Sequence, residues 1–191
     1  PATAAAPFII HDGFTSEPLG RHLEHCVDPE NALTLDGIVT GKQPANFETV
    51  HTEYPSFGYS RASHWFRFKA HNMRADTEHW ILEFNYPNID RIEAYIPVSG
   101  GYRKHEGGDS IPFDRREIRS RSIAFPVTQG PGEIAIYLKV ASSGFITVPL
   151  TAYSRETFAE RTRNETALLF LHYGIMIALA LYNLFIFSST R

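Results

Sequence analysis

Two patterns of apolar positions divide the chain. From residue 64 to residue 153 apolar and polar side chains alternate, and from 167 to 187 apolar ones run almost unbroken. Period-two alternation marks half-buried strands, because successive side chains point to opposite faces. In HWFRFKA (64–70), Phe66 and Phe68 face one way and Trp65, Arg67 and Lys69 the other. In WILEFNY (80–86), Trp80, Leu82, Phe84 and Tyr86 oppose Ile81, Glu83 and Asn85. In DRIEAYI (90–96), Ile92, Ala94 and Ile96 oppose Arg91, Glu93 and Tyr95. The clearest strand is EIAIYLKV (133–140), with Ile134, Ile136, Leu138 and Val140 on its core face and Tyr137 and Lys139 on the other. Turn chemistry separates these runs at Pro87-Asn88, Ser99-Gly100-Gly101, Gly107-Gly108-Asp109, TQGPG (128–132) and Ser142-Ser143-Gly144. A last strand is expected in FITVPLTAY (145–153). About eight or nine short strands with no helix between them predict an antiparallel sandwich or barrel. A βαβ nucleotide-binding fold is excluded, because its crossover helices are missing.

The flanks read differently. Residues 1–30 are expected to be irregular, and 31–60 to hold short extended pieces between turns. Residues 154–166 predict a linker helix, with Ser154 as a candidate cap. Residues 167–187, ALLFLHYGIMIALALYNLFIF, carry no Asp, Glu, Lys or Arg, and every one of the chain's 21 carboxylate residues lies at or before Glu165. At 1.5 Å per residue this segment spans roughly 30 Å of hydrocarbon, so it predicts a transmembrane helix. His172 and Asn183 within it mark a face expected to pack on other helices. Arg191 favours a cytoplasmic C-terminal side, while Arg161 and Arg163 at the other end weaken that inference. The expected organisation is therefore 1–30 irregular, 31–153 β domain, 154–166 linker helix and 167–187 membrane helix.

Composition narrows the function. The chain has 191 residues, a formal charge of −3 and 13% aromatic residues. This composition supports a packed core and gives no basic surface for nucleic acid. The single cysteine, Cys26, excludes an internal disulfide and any CxxC metal or redox motif. His22 and His25 lie near Cys26, but a zinc site needs a fourth group and a fixed frame, so ordinary packing is the expectation. The Ala-rich start, PATAAAPFII, lacks Met and is expected to be what a processed leader leaves.

No nucleophile elbow, HExxH, P-loop or dinucleotide fingerprint occurs, and no cofactor is expected. Glu83 and Glu93 are weak candidates for a glycosidase pair, because that chemistry needs a fixed carboxylate separation. Binding fits the residues better. Trp65, Arg67, Glu83, Asn85, Arg91, Glu93, Tyr95, Tyr137 and Lys139 occupy the non-core faces of the strands. Arginine forks, carboxylates, amides and aromatic faces can hold a polar ring or a charged group. Of these, Trp65, Arg67 and Glu83 are the leading ligand candidates. The competing expectation is that these side chains form cross-strand ion pairs and aromatic cover. The loop Gly107–Arg121 is a second candidate surface, with Asp109 and Asp114 among Arg115, Arg116 and Arg121.

These residues also carry a resemblance. HWFRFKAHN (64–72), WILEFNYPNIDRIEAY (80–95), GD (108–109), PF (112–113), RR (115–116), IYLKVASSG (136–144) and VPL (148–150) follow one another in order. Together they resemble the 7TMR-DISM extracellular type 2 family, the periplasmic module of bacterial seven-helix receptors with diverse intracellular signalling modules. LHYGIMIALALYNLFIF (171–187) is similar to the opening of that family's seven-helix region. The resemblance implies an all-β antiparallel jelly roll like carbohydrate-binding modules, followed by the first transmembrane helix. It implies an inner-membrane receptor with residues 1–166 in the periplasm and a signalling output beyond the last helix. The expected partners are a small polar or carbohydrate-like ligand and the membrane. The alternative is a homodimer or another receptor ectodomain, recruited without a small ligand. Arg115, Arg116 and Arg121 match the family pattern and are expected to clamp the fold.

Overall fold

The computed structural model describes residues 4–190. Arg191, whose charge favoured a cytoplasmic C-terminal side, lies outside the described residues. The chain divides into a β domain through Arg155 and a helical unit from Glu156.

The domain is mostly antiparallel β-sheet. Its elements in chain order are β1 (Phe8–Ile10), β2 (Ser16–Pro18), β3 (Glu24–Asp28), α1 (Leu35–Val39), β4 (Glu48–Thr49) and β5 (Ser56–Tyr59). There follow β6 (Ser63–Asn72), β7 (Glu78–Phe84), β8 (Arg91–Val98), β9 (Gly101–Gly107), β10 (Ile123–Gln129), β11 (Gly132–Ala141), β12 (Phe145–Thr147) and β13 (Leu150–Ser154). A large sheet runs β4-β3-β6-β11-β8-β9, with β1 pairing in parallel to the end of β6. A second sheet runs β10-β7-β13-β2, and β12 pairs with β5 alone.

The alternating strands form as the pattern dictates. Phe66 and Phe68 of β6, Leu138 of β11 and Ile92 of β8 share one buried cluster with Trp80, Leu82 and Phe84 of β7, Phe125 of β10 and Leu150 of β13. The two larger sheets therefore bury their inner faces in one core. The β8–β9 hairpin turns through Ser99-Gly100, where Gly100 has φ +90. At the other end of that hairpin, Gly108 has φ +131, and a Cβ there would meet the Asp90 carbonyl oxygen at 2.3 Å. Only glycine fits such a position.

Three differences from the sequence reading have physical causes. Residues 8–28, expected to be irregular, supply β1, β2 and β3. β1 and β2 are only three residues long, too short for alternation to register. Residues 31–60 contain α1, a single helical turn capped by Thr34, whose hydroxyl accepts from the Gly37 N–H at 3.1 Å. Residues 145–153 form two strands, because the chain leaves β5 after Thr147 and joins β7 at Leu150.

Polar groups tie the strands together within and between the sheets. The Gln129 amide of β10 donates to the Ala70 carbonyl of β6 at 2.8 Å and to the Gly132 carbonyl at 2.9 Å, and it accepts from the Trp80 indole at 3.3 Å. His25 and His64 share a ring-to-ring hydrogen bond of 2.9 Å and stack at 5.1 Å between centroids. Phe57 and Phe66 enclose His25 at 4.1 and 4.9 Å. Burial, with His64 beside it, lowers the His25 pKa to about 4, and burial lowers that of His64 as well.

The helical unit belongs to α2 (Arg155–Ser189), one unbroken helix of 35 residues, so no break separates the expected linker helix from the apolar span. It is long and apolar enough to cross a membrane, and none of its apolar window is buried within the protein. The Asn183 amide donates to the Leu179 carbonyl of its own helix at 2.9 Å.

Two stability predictions follow from these contacts. Gln129→Leu removes the three hydrogen bonds of this buried amide and leaves the Trp80 indole N–H without its Gln129 partner, so urea unfolding should show a loss of about 2–3 kcal/mol. The histidine pair makes stability depend on pH. Unfolded His25 takes up a proton below about pH 6.5, whereas folded His25 resists until about pH 4. Stability is therefore lost as pH falls through that window, on the order of 2 kcal/mol between pH 7.5 and 5. His25→Gln keeps a hydrogen-bonding group and cannot titrate, so its urea midpoint should depend less on pH over that range. An equal loss in both proteins would show that the destabilising proton binds elsewhere.

Candidate functional site

The register of the large sheet assembles one polar face. Across β3, β6, β11, β8 and β9, one row reads Glu24, Arg67, Tyr137, Tyr95 and Lys104. The next row reads Cys26, Trp65, Lys139, Glu93 and Glu106. Arg91 lies opposite Ala141 at the end of this face. Trp65, Arg67, Arg91, Glu93, Tyr95, Tyr137 and Lys139 thus converge on the outer surface of one sheet. Glu83 and Asn85 do not join them, because β7 belongs to the other sheet. Glu83 is buried and accepts from the Ser122 hydroxyl at 2.6 Å, while the exposed Asn85 donates its backbone N–H to Pro149. The expected grouping of Glu83 with Trp65 and Arg67 is therefore corrected, and Glu83 and Glu93 do not flank a common cleft.

Half of this face is roofed. Leu33, Leu35, Ile38, Ala45 and Phe47 pack on Cys26, Trp65 and Tyr137 as a second apolar cluster. The roof is pinned by Asp28, which accepts from the Ala32 and Leu33 N–H groups at 3.0 Å each, and by Gln43, which accepts from the Thr34 N–H at 2.9 Å. Arg67 donates to Glu24 at 2.5 Å and lies 4.2 Å over the Phe47 ring. Trp65 is 1% exposed and Tyr137 9%, so neither offers a free ring to a sugar. They pack the roof instead.

The other half is open and charged. Arg91 bridges Glu93 at 3.0 Å and Glu106 at 2.7 Å, and Lys104 bridges the same two carboxylates at 3.2 and 2.7 Å. The Tyr95 hydroxyl donates to Glu93 at 2.5 Å. Hydrogen bonds from Lys104 and Arg91 lower the Glu106 pKa, and the bond to Glu106 raises that of Lys104. Burial, then the bond to Glu93, pushes the Tyr95 phenol up. Exposed pairs of this kind contribute little stability, so their importance lies in the arrangement of charge. Beside them a cleft of about 190 Å³ is lined by Ser63, Arg91, Glu93, Lys139 and Ala141.

Two other hollows border the face. One of about 180 Å³ includes Ala5, His22, Glu24, Arg67 and Tyr137. A larger one, about 560 Å³, runs beneath the roof's edge past His25, Cys26, Asp28, Asn46 and Glu48. Burial raises the Cys26 thiol pKa, which keeps it protonated and a poor nucleophile. His22 bonds to the Ala6 carbonyl and to Glu17, His25 to His64, and Cys26 packs on Trp65, so the three occupy separate settings.

In the 107–121 loop, Arg116 donates to the Gly108 carbonyl at 3.3 Å and covers the Phe113 ring at 5.5 Å. Among the described residues, neither Asp109 nor Asp114 forms an ion pair with the loop's arginines. Sequence reasoning missed Ser63, Lys104, Glu106 and the roof. The alternation of Tyr102, Lys104 and Glu106 in YRKHEGG was the available signal for β9. The roof carries no periodic signal.

The comparisons agree with this architecture. The family model for 7TMR-DISM extracellular 2 matches residues 20–154, which is the β domain from just before β3 to the end of β13. No curated protein matches the chain. Domains of this family are sensory modules without catalysis, and the matched region runs directly into a helix of membrane-spanning length and composition. The chain belongs to the 7TMR-DISM extracellular 2 family and is the periplasmic sensory domain of an inner-membrane receptor, joined to a membrane-spanning helix.

Proposed function

We propose that the domain senses a small polar solute at the open half of the large sheet's outer face. One observation carries this reading. Arg91 and Glu93 of β8 and Lys139 of β11 come together there and line a cleft that the roof does not fill. Polar groups converging on a concave surface are the usual makings of a small-molecule site. The reading includes the jelly-roll topology that the sequence resemblance implies, supported by two sheets sharing one core.

Occupancy would reach the membrane through β13, which pairs with β7 and β2 and continues into α2 without an intervening residue. A ligand shifts a receptor only if its affinity differs between the two states. A second reading, an ectodomain for dimerisation or a protein partner, has its own support. Tyr59 is 81% exposed and Phe145 41%, and their rings meet edge to face at 5.5 Å on the small sheet.

A thermal-shift screen of the chain in detergent micelles tests the two readings. The panel contains sugars, amino acids and organic acids. A site-specific ligand at about 100 times its Kd should add about 2.7 kcal/mol, several degrees in Tm. The shift should vanish in Arg91→Ala and persist in Tyr59→Ser. A flat response across the panel, with self-association lost in Tyr59→Ser, would favour the interaction reading.

A further inference from the structure

We infer that the cleft between β6, β11 and β8 is built for the carboxylate of a small organic anion, with Lys139 as its principal partner. The inference rests on the solute-sensing reading and names the ligand class. Arg91, Lys104 and Lys139 are three cations on this part of the face, and Glu93 and Glu106 are two carboxylates. Both carboxylates are engaged by Arg91 and Lys104. Glu93 also accepts from Tyr95, so its second oxygen is occupied too. One positive charge is left over, and it is Lys139.

Lys139 makes no ion pair among the described residues. Its ammonium lies 5.4 Å over the Trp65 ring, and its side chain is only partly exposed. A half-buried ammonium held against an indole lacks part of its hydration shell, so an anion in the cleft relieves it. Glu93 lines the same cleft, but its charge is already offset by two cations. Arg91, 53% exposed, adds a guanidinium to the cleft wall.

The Ser63 hydroxyl on the cleft wall donates to Asn31, so it presents only its lone pairs to the cleft. The cleft has a volume of about 190 Å³. That suits a carboxylate on a short frame and excludes a long oligosaccharide from lying wholly inside it.

The test uses the full chain in detergent micelles, with acetate and succinate as probes and sodium chloride replaced to hold ionic strength constant. The wild type should show a saturable rise in Tm with carboxylate over chloride. Lys139→Met keeps the stem over Trp65 and removes the charge, and should weaken half-saturation by more than about tenfold, the worth of one charge-assisted hydrogen bond. Lys139→Arg restores a cation and should restore binding. Equal carboxylate responses in the wild type and Lys139→Met would overturn the assignment, as would no response beyond chloride. A neutral sugar that binds while both acids fail would overturn the carboxylate class and leave the solute-sensing reading standing. Failure of acids and neutral solutes alike would remove both.

Discussion

The register of β11 is the constraint on which the outer face depends. This strand lies between β6 and β8, and its ladder sets Lys139 opposite Trp65 on one side and Glu93 on the other. A one-residue slip would send Lys139 and Tyr137 into the core and expel Ile136, Leu138 and Val140. The core fixes the register strongly, because all three of those side chains are fully buried. The energy that holds the polar face in order therefore comes from the apolar face behind it. Gln129 adds a directional tie between the sheets, bonding β10 to the β6 and β11 backbones.

A sheet that is apolar on its inner side and aromatic on part of its outer side cannot leave both wet. Trp65 and Tyr137 bring large rings to the outer face, and burying such rings is among the larger favourable contributions in a domain of this size. The segment from Leu33 to Phe47 supplies the cover, pinned by Asp28 and Gln43 rather than by a long helix of its own. Covering one half leaves the other half, with Arg91, Glu93 and Lys139, open as the proposed sensing face. The division between dry roof and wet cleft connects the packing to the proposed sensing function.

The sequence made some of this legible, for physical reasons. The alternation in β6, β7, β8 and β11 announces both strands and faces, since each is at least seven residues long with one consistently apolar side. It could not show that β7 pairs in a different sheet, because pairing partners leave no trace in period-two alternation. For that reason the sequence groups Glu83 with Trp65, although the two strands lie in different sheets with the core between them. From sequence Trp65 reads as a binding platform, since its outward parity is visible and the aperiodic roof above it is not. The membrane helix was fully legible, because a run of 21 uncharged residues has few other uses in a chain of this composition.

Hydrogen–deuterium exchange of the full chain in micelles, with and without a saturating solute, addresses the sensing face most directly. Binding at the open half of the large sheet should slow exchange at residues 91–93, at 139–141 and around Ser63. The backbone of β7 and the 107–121 loop should stay unchanged. Protection confined to the 107–121 loop, or to the four-stranded sheet around Glu83, would place the sensing surface elsewhere and contradict the assignment of this face.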